Sequence, residues 1–196
     1  MKFSKKILLA TTTLAAALLA GCANQSNTLT FATPSPTASF NTANQAAVVN
    51  VISQDLRNSR EISSYTKNGE VIRLTASPEV AQMFQQAVQQ DLNSKGFTIV
   101  QGAANANVQV NIKKFYATVD QGNLRYKVNA EVGVEVAVQG VRGQFAKNFN
   151  ATRGYEGAFG ADNDEIKRVL SLAYEDAIRS IYNDNEIANA INQLSK

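Results

Sequence analysis

Few residues in this 196-residue chain could do chemistry, and one of them stands apart. Cys22 is the only cysteine, and the chain has no histidine. A cysteine thiolate is a strong nucleophile that can accept an alkyl group. Without histidine, the commonest general base and the commonest transition-metal ligand are both missing. No nucleophile–base pair can be assembled from cysteine and histidine. Glycoside hydrolysis needs only two carboxylates, so it stays formally open. Asp120 and Glu156 sit near loops and could be cast in that role. Asp120 is more simply a turn residue, and Glu156 a charge at a strand end. The glycines are spaced as turns, and no phosphate-cradling loop occurs. The expectation is a protein that is not an enzyme, with no catalytic residues, no metal site and no separate cofactor.

The surroundings of Cys22 give its thiol a task. Lys2, Lys5 and Lys6 precede an apolar run from Ile7 to Leu19. A basic start, an apolar middle and a small-residue cut site make a secretory signal. The run is shorter than the roughly 20 residues that span a bilayer. Leu19-Ala20-Gly21-Cys22 resembles the bacterial lipobox. That resemblance implies cleavage between Gly21 and Cys22, a covalent diacylglycerol on the thiol and an N-acyl chain on the new amino group. Residues 1–21 would then be removed. Several chains, at about 0.8 kcal/mol per buried CH₂, would anchor the protein to a membrane. Ala23 follows the cysteine, where an aspartate would resemble an inner-membrane retention signal. The expected place is therefore the outer membrane of a Gram-negative bacterium, with the protein facing the periplasm.

The signal also explains the charge. The formal balance is +3, from 19 basic and 16 acidic residues. Removing the three signal lysines leaves sixteen of each. Counterion release then gives little help toward nucleic acid, which is not expected as a partner.

Residues 22–46 are rich in Asn, Gln, Ser, Thr and Ala, with Pro34 and Pro36. This composition reads as a tether that could reach about 80 Å when fully extended. Within it, Thr28-Leu29-Thr30-Phe31 alternates and could form a short strand docked on the domain. Residues 47–196 are expected to form a single domain. Val48–Leu56 reads as a strand, with Asp55 and Arg57 on one face of it. A polar loop follows, in which Asn68-Gly69 signals a tight turn before a short strand at Val71–Thr75. Ser77-Pro78-Glu79 opens a helix with an apolar stripe at Val80, Phe84, Ala87, Val88 and Leu92. Gly96 is expected to end it in the left-handed conformation.

The clearest pattern comes next. Val108, Val110 and Ile112 alternate with polar residues, then the phase slips at Lys113-Lys114. Phe115, Ala117 and Val119 carry the apolar face onward, which predicts a bulge near Lys114. After the turn Asp120-Gln121-Gly122-Asn123, apolar residues alternate without a miss from Leu124 to Val138. Such a split predicts a long antiparallel strand with one face packed and one wet. Gln144–Tyr155 follows beyond a turn at Gly140–Gly143. Asp162 and Glu165 have capping-box spacing for a second long helix. A short helix carrying Ile187, Ile191 and Leu194 ends the chain. The order predicts an α+β fold: an antiparallel sheet of about 4–5 strands with two main helices on one face and a short C-terminal helix.

Leu74-Thr75-Ala76-Ser77, Gly122-Asn123-Leu124-Arg125-Tyr126 and Glu156-Gly157-Ala158-Phe159, with the lipobox and the tether, resemble the YajG-type outer-membrane lipoproteins of Gram-negative bacteria. The resemblance covers nearly the whole mature chain. It implies an envelope lipoprotein without an established biochemical activity. The element order also resembles small lipoprotein subunits that assist envelope transport or assembly, as a fold-level analogy.

Two readings of function remain. The domain could bind an envelope protein or the cell-wall polymer as a non-enzymatic accessory module. It could instead hold a lipid or hydrophobic ligand between sheet and helices, which requires an apolar cavity of several hundred Å³. Small residues such as Ala130, Ala173 and Ala177 favour close packing and the first reading. The candidate binding residues are Asp120, Gly122, Asn123, Arg125, Tyr126, Glu156, Gly157 and Phe159. Gly122 and Asn123 tolerate positive φ. If the hairpin is centred near residue 141, Arg125 lies opposite about residue 157 and beside Glu156. Those two could form a cross-strand ion pair that fixes register, or part of a binding surface.

Overall fold

The computed structural model describes residues 26–196. Eight strands and three helices follow in order. They are β1 (Thr28–Thr30), β2 (Val48–Asp55), β3 (Ser63–Lys67), β4 (Glu70–Ser77), α1 (Val80–Ser94), β5 (Thr98–Val100), β6 (Ala106–Gln121), β7 (Arg125–Gly140), β8 (Gly143–Ala158), α2 (Asn163–Tyr182) and α3 (Glu186–Leu194).

The alternating runs build the centre. β6 pairs antiparallel with β7, and β7 with β8, along their whole lengths. The slip in apolar phase is a bulge between Ile112 and Lys114, and it keeps both Ile112 and Phe115 on the buried side. The other edge of β6 is shared. β2 runs parallel to its first half, from Val49↔Ala106 to Asp55↔Ile112. β3 runs parallel to its second half at Ser63↔Ala117 and Ser64↔Thr118. β5 extends β2 in parallel, β4 pairs antiparallel with β3, and β1 pairs parallel with β4.

The sheet is therefore mixed and eight-stranded, which corrects the expected antiparallel sheet of 4–5 strands. Alternation fixes which face a strand buries, but not its partner or direction. Parallel neighbours need a long crossover, and the segment from β3 to β5, with α1 inside it, supplies that between β2 and β6.

Arg57 closes the gap where β2 leaves β6 and β3 has yet to arrive. Its guanidinium holds both carboxylate oxygens of Asp55, at 2.9 and 2.7 Å, and donates to Phe115 O at 3.0 Å. Burial pushes the Asp55 carboxyl up, but the bonds and charge of Arg57 outweigh it and hold it below the ordinary value. The expected pair is thus a built-in repair of the sheet ladder.

The helices pack on one face. Phe84 of α1, Tyr174 of α2 and Phe115 of β6 meet edge to face, with centroids 5.2–6.3 Å apart. Asp162 caps α2 by accepting from Glu165 N at 2.8 Å. Asn68 and Gly69 both take positive φ, 53° and 82°, as a two-residue hairpin turn requires. Gly96, at φ 100°, follows α1 where a side chain would strike the backbone of Asn41.

That contact belongs to a second correction. Much of the expected tether is part of the domain. Leu29 and Phe31 are buried, and the Phe31 ring stands edge-on to Phe115 at 5.4 Å. Tyr182 donates to Pro34 O at 2.7 Å, and Asn44 Nδ2 donates to Lys95 O at 2.8 Å. The alternation at Thr28–Phe31 marked the docked strand, but polar composition concealed the rest, which a few distant hydrogen bonds fix.

Candidate functional site

The β6–β7 turn closes on a bond from Gly122 N to Arg125 O, 2.9 Å long. Neither Gly122 nor Asn123 uses the positive φ that both residue types tolerate. That conformation falls on Phe159 instead, at φ 74°. Its backbone is held from two sides: Phe159 N donates to Leu124 O at 3.1 Å, and Gln121 Nε2 donates to Phe159 O at 2.8 Å. Ala161 N in turn donates to Gln121 Oε1 at 3.3 Å. Sequence reading missed Gln121, whose amide clamps the loop between β8 and α2.

The expected residues do gather at this end, but not in the expected pairs. The β7–β8 turn closes at Gly140↔Gly143, so the hairpin is centred between Val141 and Arg142. Arg125 therefore stands opposite Ala158, Tyr126 opposite Gly157, and Lys127 opposite Glu156. The Arg125–Glu156 pair is corrected to Lys127–Glu156, at 3.6 Å between exposed side chains. Half a residue of error in the centre was enough to choose the wrong cation. Lys127 also stands opposite Asp120, so a lysine lies between the two carboxylates once imagined as catalytic.

Tyr126 is buried, not displayed. Its ring crosses Gly157, where a Cβ would come within 2.5 Å of it. It leans on Tyr155 at 6.3 Å, and the Arg168 guanidinium lies 4.4 Å over the Tyr155 ring. Burial, with the nearby Glu165 carboxylate, pushes the Tyr126 hydroxyl above its ordinary pKa. The large apolar side chains most exposed here are Leu124 and Phe159.

A second region lies on the face of the sheet away from the helices, toward the β7–β8 turn. The residues between the buried valines of β6 are Asn107, Gln109 and Asn111. Their amides form a chain across strands. Asn50 Nδ2 donates to Asn107 Oδ1 at 3.2 Å, and Gln109 Nε2 donates to Gln54 Oε1 at 3.2 Å. Asn111 Nδ2 donates to Glu135 Oε1 at 3.1 Å. Lys113 bonds Glu135 at 2.6 Å and Asn148 at 3.0 Å. Lys113 first, and Asn111 second, hold the Glu135 carboxyl below its ordinary pKa. A groove of about 570 Å³ opens here, where Asn107, Gln109, Glu135, Gln139 and Gln144 share the lining with an equal number of apolar residues, Ile52 and Phe145 among them. The signal was the run of amides between valines, which mere alternation labels only as wet.

Among the described residues no cluster of acidic side chains is arranged to hold a metal ion. Among the same residues no helix is long and apolar enough to cross a membrane. Gly21 and Cys22, the expected cleavage and lipidation residues, lie outside the described residues.

The model of a family described as "Uncharacterized lipoprotein" matches residues 34–192. The chain is 25% identical over 180 residues to the uncharacterized lipoprotein YajG of Escherichia coli strain K12, covering 91% of this chain and 93% of that protein. The same figures hold for YajG of Escherichia coli O6:H1. Among solved structures, protein XCC0632 from Xanthomonas campestris matches with a TM-score of 0.54 at 11% identity, over 86% of this chain and 99% of that one. That likeness is one of fold. The family match begins three residues after Phe31 and runs into α3, so it takes in both regions described above. The chain belongs to the family of YajG-type lipoproteins.

Proposed function

We propose that the protein is a lipid-anchored, non-enzymatic binding module of the bacterial envelope, and that its amide-lined sheet face is the contact surface. The single observation behind this is the cross-strand amide chain at the groove. Its side chains offer donors and acceptors in a row on rigid strands, which suits a hydroxyl- and amide-bearing polymer such as cell wall or an extended protein segment. The alternative, a hydrophobic ligand held between sheet and helices, has less support. The residues there, including Ala130, Ala173 and Ala177, are buried in one continuous core, and the groove of about 570 Å³ lies on the sheet face away from the helices.

Cys22 carries the diacylglycerol and N-acyl chain in this reading, and the outer membrane is the place, with the domain in the periplasm. The absence of an aspartate after Cys22 supports that sorting. Separating the two membranes on a gradient tests it; recovery chiefly with the inner membrane would refute it. The surface is tested by in-cell photocrosslinking. A crosslinker in place of Gln109 should capture a partner, and one in place of the exposed Ser180 on α2 should not. Equal capture from both positions would refute the assignment.

A further inference from the structure

We infer that the domain lies docked on the membrane that carries its anchor, with the Leu124–Phe159 tip entering the lipid surface. This rests on the lipid anchor at Cys22 proposed above.

The leash is short. The Ser26 carbonyl accepts from Asn163 Nδ2 at 3.0 Å, and Asn163 is itself buried and accepts from Tyr65 OH at 2.8 Å. Three residues lie between Cys22 and Ser26, and the four steps from one to the other span at most about 14 Å. The lipid must therefore emerge close to the start of α2.

Strand directions show what else is at that end. β3 runs parallel to β6, so the Asn68-Gly69 turn and the β6–β7 turn face the same way. β1 runs parallel to β4 beside its last three residues, Thr75–Ser77, so the chain approaches Thr28 from the side of the Asn68-Gly69 turn. Gln121 ties the end of β6 to the loop that opens α2. The anchor and the tip share one end of the domain.

At this end Phe159 is 84% exposed and Leu124 is 75% exposed, with their backbones bonded to each other. Val71, beside the Asn68-Gly69 turn, is exposed as well. A positive φ is a genuine outlier for a bulky residue, and here Gln121 and Leu124 hold the backbone that imposes it. The nearby aromatics Tyr126 and Tyr155 pack against each other and leave Phe159 uncovered. Paired apolar side chains on a fixed tip are suited to the headgroup–acyl boundary. The charges around it are of both signs: Arg125 and Lys127 against Asp120 and Glu156. Docking is thus by apolar insertion and not by attraction to anionic lipid. Val141 is 78% exposed but sits in the β7–β8 turn, at the far end of a 16-residue strand. At about 3.3 Å per residue it lies roughly 50 Å from the tip.

The chain contains no tryptophan, so a single one reports on its own surroundings. The full-length lipidated protein, carrying Phe159→Trp, Leu124→Trp or Val141→Trp, is reconstituted into phospholipid vesicles with brominated acyl chains. Fluorescence at positions 159 and 124 should fall at least about twofold relative to unbrominated vesicles, and at 141 it should stay unchanged. The two tip variants guard against one of them misfolding. Quenching at both tip positions no greater than at 141, in vesicles that carry the protein, would overturn this inference alone. A blue shift at 159 that needs no vesicles and grows with protein concentration would assign the tip to a second copy, and overturn it too. Absence of the acyl mass on Cys22 would overturn the anchor and this inference together.

Discussion

Asp91, in the last turn of α1, and Lys95, the residue that caps that helix, form an ion pair with both side chains more than nine-tenths buried. Lys95 Nζ donates to Asp91 Oδ2 at 2.7 Å and to Asp184 O at 3.2 Å. Among the described residues Asp91 Oδ1 has no hydrogen-bond partner. Burial raises the Asp91 carboxyl from 3.8 to about 6, although the bond and charge of Lys95 pull it down and the Asp184 carboxylate adds to the rise. Between pH 3.8 and 6 the folded state binds more protons than the unfolded chain, so stability falls as pH rises through that window. The gap is worth roughly 3 kcal/mol at most.

Replacing Lys95 with Met removes the group that keeps Asp91 from rising further. The folded pKa then climbs, and the falling limb extends above pH 6. At pH 5 Asp91 is protonated in both proteins, and the substitution takes out a buried ammonium, so the cost should be under about 1 kcal/mol. At pH 8 a buried carboxylate is left unpaired, and the cost should reach about 3–5 kcal/mol. Urea unfolding followed by far-ultraviolet circular dichroism at pH 5, 6, 7 and 8 measures the difference. A Lys95→Met cost that is the same at pH 5 and pH 8 would refute the reasoning. Asp91→Leu combined with Lys95→Met should give a flat profile, since neither charge then needs hydration.

Phe31→Ala should cost about 3–5 kcal/mol in the same denaturation assay, because the ring is part of the aromatic core. A residue on a free tether would cost nothing, and a value near zero would restore the tether. Gly157→Ala should cost about 1–3 kcal/mol by driving a methyl into the Tyr126 ring. Adding Tyr126→Leu should recover part of that loss, and strict additivity of the two would count against the contact.

The sequence displayed what is local and periodic. The uninterrupted valines of β7, the slip at Lys113 and the Asn68-Gly69 turn each correspond to one strand, one bulge and one hairpin. It concealed what depends on distant partners. β3 reads Ser63-Ser64-Tyr65-Thr66-Lys67, and its innermost residue is a serine. Ser63 is accommodated because its hydroxyl donates to Ala117 O at 2.7 Å, not because it is apolar. No hydropathy pattern marks such a strand, and without it the path from β6 to β4 and β1 cannot be drawn. The candidate site failed in the same way. Residue types at the β6–β7 turn were legible, but their facing partners depended on a hairpin centre that composition does not define.

The two proposed surfaces sit at opposite ends of one rigid ribbon, and that separation has a consequence. Leu124 leads into β7, and Gln139 nearly ends it. The fifteen steps from one to the other span roughly 50 Å at about 3.3 Å each. With the Leu124–Phe159 tip held at the lipid surface, the groove beside Gln139 and Gln144 is carried away from the membrane. Its amides are then presented to whatever lies across the periplasmic space. β6 and β7 bury valine and alanine on their other face, and β8 adds Phe149, so neither end can move without the core. A partner reaching the groove should therefore crosslink to Gln139 and not to Leu124. Capture from Leu124 by the same partner would mean that the ribbon lies flat, with its groove beside the lipid.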